Sequence, residues 1–186
     1  MKNLFKTAIF AITILATGSF FAQSEKTVMV GGAAMYPSKN IIENAINSKD
    51  HTTLVAAVKA AGLVETLQGK GPFTVFAPTN AAFNKLPKGT VATLLKPENL
   101  KMLQGILTYH VVSGKMNASD IVAAIKKGNG KATLKTVAGG NLVASMKGKN
   151  VIITDENGKS AKVTIADVNQ SNGVIHVIDA VVTPKA

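Results

Sequence analysis

Hydrophobic positions along the chain follow one period up to residue 130 and another after it. Ser38 is placed to cap a short helix with Ile41, Ile42, Ala45 and Ile46 on one face. A second helix is expected from Thr52 or Thr53, with Leu54, Val55, Val58 and Ala61 at helical spacing until Gly62 interrupts. Residues 69–72 break the chain, and 73–77 read as a short buried strand. Residues 91–107 are again helical, with Leu94, Leu95, Leu103, Ile106 and Leu107 facing inward and Pro97 marking a new start. Asn117 caps a helix over 118–127, whose first turn carries Asp120 and whose last carries Lys126 and Lys127. Both placements suit the helix dipole.

Beyond Gly130 the period is two. Residues 132–138, 141–147, 150–155 and 161–167 are strand candidates, separated by Gly139-Gly140, Lys147-Gly148-Lys149 and Asn157-Gly158. Tight hairpins need such residues because their backbone visits positive φ. Asn172-Gly173 marks a further turn before 174–183, the most strand-like run of all. Helices followed by strands, without steady alternation, predict an α+β fold rather than a parallel doubly wound sheet.

The amino terminus reads as an address. Lys2 and Lys6 precede an apolar run, and Gly18, Ser19 and Ala22 bring small residues toward a cut. This is the pattern of a secretory signal peptide over residues 1–22. As a helix, 7–22 would span roughly 24 Å, short of a ~30 Å hydrocarbon core. Residues 23–37 are expected to form a flexible lead-in and 38–186 a single domain. The mature protein is expected to be secreted, to the periplasm, cell surface or medium, with no span left after cleavage.

Composition narrows the chemistry. The 186 residues include 21 Lys plus Arg, 10 Asp plus Glu and no Cys. Every basic residue is Lys. Without Cys there are no disulfides, thiolate zinc sites or thiol nucleophiles. Removing 1–22 takes Lys2 and Lys6 and no acid, leaving a net charge of about +9 that favours anionic partners. The absence of Arg argues against sequence-specific nucleic-acid reading, which leans on bidentate forks. The lysines are scattered along the chain, and Lys126-Lys127 is the sole adjacent pair.

His51, His110 and His176 have no metal-ligand spacing, and His110 and His176 lie in apolar runs that suit structural histidines. No nucleophile elbow, dinucleotide fingerprint or phosphate loop occurs. Asn117-Ala118-Ser119 matches a glycosylation sequon but reads as a cap. No catalytic residue, cofactor or metal is assigned.

Three segments are specific. Thr74-Val75-Phe76-Ala77-Pro78-Thr79-Asn80-Ala81-Ala82-Phe83 resembles the first signature of the fasciclin (FAS1) family. Tyr109-His110 is similar to its central Tyr-His pair. Asn172-Gly173-Val174-Ile175-His176-Val177-Ile178-Asp179 resembles the second signature, followed by Val181-Val182-Thr183-Pro184 as a closing strand. The resemblance covers about residues 40–184. It implies a wedge with a mixed or antiparallel β-sheet core and helices packed around it.

It also implies a secreted, non-enzymatic module for cell adhesion, or for contact with surface or matrix protein or polysaccharide. By the same resemblance, Tyr109-His110 and Asp167-Val168 are interaction positions. The residues themselves assign Thr74, Asn80, Phe83, His176 and Asp179 to structure, with Thr79 or Asn80 capping the turn that carries Phe83. A monomer is expected. Two other classes compete: an electrostatic binder of anionic polymers acting through the lysines, and a small-ligand carrier. The carrier would need a polar cleft gathering His110, His176 and a carboxylate.

Overall fold

The computed structural model describes residues 26–185, so the signal peptide expected over 1–22 lies outside the described residues. Strands β1 (Val28–Val30) and β2 (Ala33–Met35) form a hairpin in which Val28 pairs with Met35. Its turn is Gly31-Gly32, with φ of +57° and +78°, the primed geometry that matches strand twist. Val30 and Met35 are buried in the core. The loose lead-in expected over 23–37 is therefore corrected over these residues. Strands of three residues are too short to show a period, so only packing reveals them.

Helices α1 (Ile41–Ala45), α2 (Thr52–Ala60) and α3 (Val64–Gln68) follow, with a 3-10 turn at Lys49–His51 before α2. Asn40, not Ser38, caps α1, in a capping box with Glu43. Ile46 is exposed, and the inward polar residue of α1 is Asn44. Strand β3 (Phe73–Pro78) leads into α4 (Asn80–Asn84), capped by the Thr79 hydroxyl. Helices α5 (Thr90–Leu94) and α6 (Leu100–Tyr109) flank a 3-10 turn that begins at Pro97. This turn re-phases the helix and leaves Leu95 exposed rather than inward.

Strand β4 (Val111–Ser113) and helix α7 (Ala118–Lys127) precede β5 (Lys131–Lys135), β6 (Asn141–Lys147), β7 (Asn150–Thr154), β8 (Ser160–Gln170) and β9 (Gly173–Ile178). The large sheet has the order β4-β3-β9-β8-β7-β6-β5. Only β3 and β9 are parallel, with Phe73 opposite Gly173 and Phe76 opposite His176. A bridge from Val112 to Thr136 joins the two ends, so the sheet nearly closes into a barrel. This is the mixed, helix-flanked α+β architecture expected from the chain.

Central strands β3 and β9 are buried on both faces, as parallel pairs require. Val75, Ala77, Ile175 and Val177 face a core shared with the small hairpin and α1–α3. Phe76 and Ile178 face a second core, where Ile121 and Ile125 of α7 pack on Leu134, Leu142 and Ala144. The closing strand expected over 181–184 is not one. β9 ends at Ile178, and the tail runs on as buried coil with Val181 and Val182 as anchors.

Candidate functional site

The motif residues act as fasteners between elements. Thr74 sits fully buried on β3, where its hydroxyl donates to the Gly114 carbonyl at 2.7 Å and accepts the Met116 N–H at 2.9 Å. The Met116 carbonyl in turn accepts from Nε2 of His176 at 2.8 Å. On its other side His176 Nδ1 accepts the Asp167 N–H at 3.3 Å. The Asp167 carboxylate accepts the Ala118 N–H at 2.6 Å. One polar chain thus ties the loop before α7 to β3, β8 and β9. The His176 ring also stacks on Phe76, with centroids 5.7 Å apart.

The remaining motif residues have similar duties. Asn80 accepts the Thr53 N–H at 2.9 Å and donates to the Lys49 carbonyl at 2.9 Å and the Thr52 hydroxyl at 3.0 Å. It thereby pins the start of α4 to the start of α2, while Thr79 does the capping. Phe83 is buried against Ala82 and Val181. Asp179 accepts the Lys162 N–H at 2.7 Å and pairs with Lys85 at 3.6 Å.

The expected interaction positions lie mostly inside. Tyr109, His110 and Val168 are 0%, 3% and 1% exposed. In this fold they present almost no surface to a partner, and their polar atoms are turned to backbone groups. Tyr109 donates its hydroxyl hydrogen to the Asn141 carbonyl at 2.6 Å and accepts the Glu156 N–H at 3.2 Å. His110 donates from Nδ1 to the Ile106 carbonyl at 2.8 Å and accepts the Val182 N–H on Nε2 at 3.3 Å. Asp167 is half-buried at φ +58°, its carboxylate already engaged.

Burial sets the titration of these rings. His110 is held down at about 4 by desolvation, which a backbone hydrogen bond to Ile106 and the nearby Asp155 only partly offset. His176 is lowered for the same first reason, against the Met116 carbonyl and Asp167. His51 is also lowered by desolvation, against the Ala77 carbonyl and Asp50. All three are neutral side chains near pH 7; His110 and His176 hold backbone groups on both ring nitrogens, whereas His51 Nδ1 meets the Ser48 hydroxyl at 2.9 Å.

Neither of two cavities among the described residues gathers all three histidines. A cavity of about 50 Å³ lies between the small hairpin, α1–α3 and the central strands, and its walls include His51 and His110 among apolar residues. A second, of about 150 Å³, lies under α4–α6 and is bounded by Phe83, Met102, Ile106 and Val181. His176 lines neither. Among the described residues no group of three or more His, Asp or Glu side chains could hold a metal ion.

Several buried polar residues gave little sign in the sequence. Asn172 accepts the Ile41 N–H at 3.0 Å and donates to the carbonyls of Leu67 and Gly69, each at 2.8 Å. In the sequence it marks a turn and opens the second signature segment, with no sign of these three bonds. Asn44 donates to the Tyr36 carbonyl at 2.8 Å and to Gln170, and accepts the Tyr36 N–H at 2.9 Å. Its one available signal is its place three residues after Ile41. Asp155 accepts the N–H groups of Asn157, Lys159 and Thr183, each at 2.9 Å.

The Fasciclin domain family matches residues 49–184, which include all three signature segments. The chain belongs to the fasciclin (FAS1) family. Protein sll1483 of Synechocystis sp. is 47% identical over 165 residues, covering 87% of this chain and 82% of that protein. Cell surface glycolipoprotein MPB83 of Mycobacterium bovis is 33% identical over 162 residues, covering 84% of this chain and 64% of that protein. Among solved structures, a FAS1 domain pair from the insect cell adhesion molecule Fasciclin I superposes with a TM-score of 0.69 at 18% identity. That match covers 84% of this chain and 57% of the insect chain, and it establishes the fold. No helix among the described residues is long and apolar enough to cross a membrane.

Proposed function

We propose that this FAS1 domain is exported, loses residues 1–22 and acts outside the cell as a monomeric adhesion module for surface or matrix protein or polysaccharide. The family match over 49–184 carries the reading. The name of the Mycobacterium bovis relative, which places that protein at a cell surface, supports an exterior site of action. The interior is committed to holding the scaffold, since the signature residues Thr74, Tyr109, His110 and His176 all spend their polar atoms on backbone partners. Recognition is accordingly assigned to the outer surface.

Two measurements test this reading. Intact mass of the exported protein is expected to match a chain starting at Gln23, and a mass that includes residues 1–22 would refute cleavage. Purified exported protein is expected to bind saturably to its producing cells, and failure to bind them at low and high salt would remove the adhesion role. The anionic-polymer reading gains one specific observation, the placement of lysines on the outer sheet.

A further inference from the structure

Lysines scattered along the sequence converge on one face of the sheet. Strands β5 to β8 bury alternate residues against α7, and the intervening residues point to solvent. The register aligns Lys131 with Ser145, Ser145 with Ile152, and Ile152 with Lys162, so these four share one face in a row across the strands. Lys135 lies opposite Asn141, and Lys147 opposite Asn150, on the same face. Lys149 and Lys159 are exposed in the two hairpin turns that join these strands. At about 4.8 Å between strands and about 3.4 Å per residue, Lys131 stands about 14 Å from both Lys135 and Lys162.

Among the described residues no acid forms an ion pair with a lysine of this face. The acids near it are engaged elsewhere or sit at its edges: Asp155 and Asp167 accept backbone N–H groups away from the face, Glu156 accepts the Asn141 N–H at 2.9 Å beside Lys135, and Asp179 accepts the Lys162 N–H at 2.7 Å and pairs with Lys85. The two ion pairs among the described residues, Lys85–Asp179 and Lys96–Glu98, involve none of these lysines.

We propose that the solvent face of β5–β8 is a binding surface for a linear anionic polysaccharide, and that it is the adhesive surface of the module. The proposal deepens the adhesion reading and rests on it. Positive charge spread over about 14 Å in two directions suits an extended polymer better than a compact ion. Between the lysines stand Thr133, Ser145, Thr154 and Ser160, short donors and acceptors that suit sugar hydroxyls and carboxylates. The face carries no aromatic side chain on which bases could stack, and the chain has no Arg to fork onto phosphates. Its apolar members, Val143 and Ile152, are half-buried, so it lacks the aromatic anchor of a protein interface.

The test uses the exported chain, immobilised polygalacturonate as the polyuronate probe, and neutral dextran as the blank. The triple variant Lys131→Gln, Lys135→Gln, Lys162→Gln is compared with Lys70→Gln, Lys88→Gln, Lys101→Gln, which removes the same charge from the helical side. Circular dichroism verifies that both variants fold as the parent does. The sheet variant is expected to lose affinity by about tenfold or more, with the control within about twofold of the parent. Equal losses in the two variants would overturn the proposal, because net charge alone would then carry binding. So would tighter binding to single-stranded DNA than to the polyuronate.

Binding to producing cells, measured in parallel, separates the two readings. If the sheet variant keeps cell binding, the adhesive surface lies elsewhere and this inference fails while the adhesion reading stands. If the parent binds the polyuronate through the sheet but not the cells, the adhesion reading fails and the polysaccharide surface remains.

Discussion

The backbone N–H of Asp167 donates to Nδ1 of His176, at 3.3 Å, from the point where β8 leaves its regular register. Asp167 has φ +58°, a left-handed conformation uncommon for a residue with a side chain. The bend turns its N–H toward β9 and its carboxylate toward the Ala118 N–H, which makes the bulge a junction between sheet and α7. Replacing His176 with Ala strands the Met116 carbonyl and the Asp167 N–H and removes the ring stacked on Phe76. The expected cost is about 3 kcal/mol in urea unfolding. A loss below about 0.5 kcal/mol, the size of an ordinary surface change, would contradict the fastening role.

Acid should loosen the fold before the carboxylates titrate. His110 accepts the Val182 N–H on Nε2, and a proton there would set donor against donor. Its folded value of about 4 lies below the ordinary 6.5 of an unfolded histidine, so the unfolded chain binds the proton more readily. Stability is therefore whole above pH 6.5 and falls as pH drops toward 4, by about 3 kcal/mol for this ring at the acid limit. The lowered His176 and His51 act in the same sense. Melting temperature should decline between pH 6.5 and 5, where Asp and Glu remain largely ionised. A flat profile across that window would count against it.

Asn80→Ala removes three hydrogen bonds that pin α4 to α2. Because the site is half-buried, water replaces part of what is lost, and a destabilisation of about 1–2 kcal/mol is expected. Hydrogen exchange at the Thr53 amide should speed up locally. Unchanged exchange there would show that the side chain does not hold this junction.

Tyr109→Phe keeps the buried ring and deletes the hydroxyl that serves Asn141 and Glu156. Stability should fall by about 1–2 kcal/mol, and binding to cells should be unaltered because the ring is fully enclosed. A binding defect without a stability change would make Tyr109 a contact residue.

Gly173 admits no side chain. A Cβ there would stand 2.1 Å from the Phe73 carbonyl oxygen, at the one parallel pairing of the sheet. Gly173→Ala must push β3 and β9 apart, so little folded protein is expected. Normal yield and melting temperature would disprove the close approach.

The amino-acid order alone determined the element types in the long periodic stretches. Residues 118–127 and 141–147 appear where the pattern puts them, because a helix or strand of that length exposes its own period. The motif segments likewise identified the family before any contact was known. What lay beyond the sequence were features created by neighbours distant along the chain. The hairpin of Val28–Val30 and Ala33–Met35 is stable through the buried faces of Val30 and Met35, not through its own period. Tyr109 and Val168 carry residue types that suit an interface and are enclosed only because α6, β8 and the core meet there. The lysines look dispersed because charge spacing along the chain carries no information about strand register. Hydrogen-bonded pairing of β5 through β8 sets Lys131 and Lys162 in one row, and pairing of distant segments is what tertiary structure alone decides.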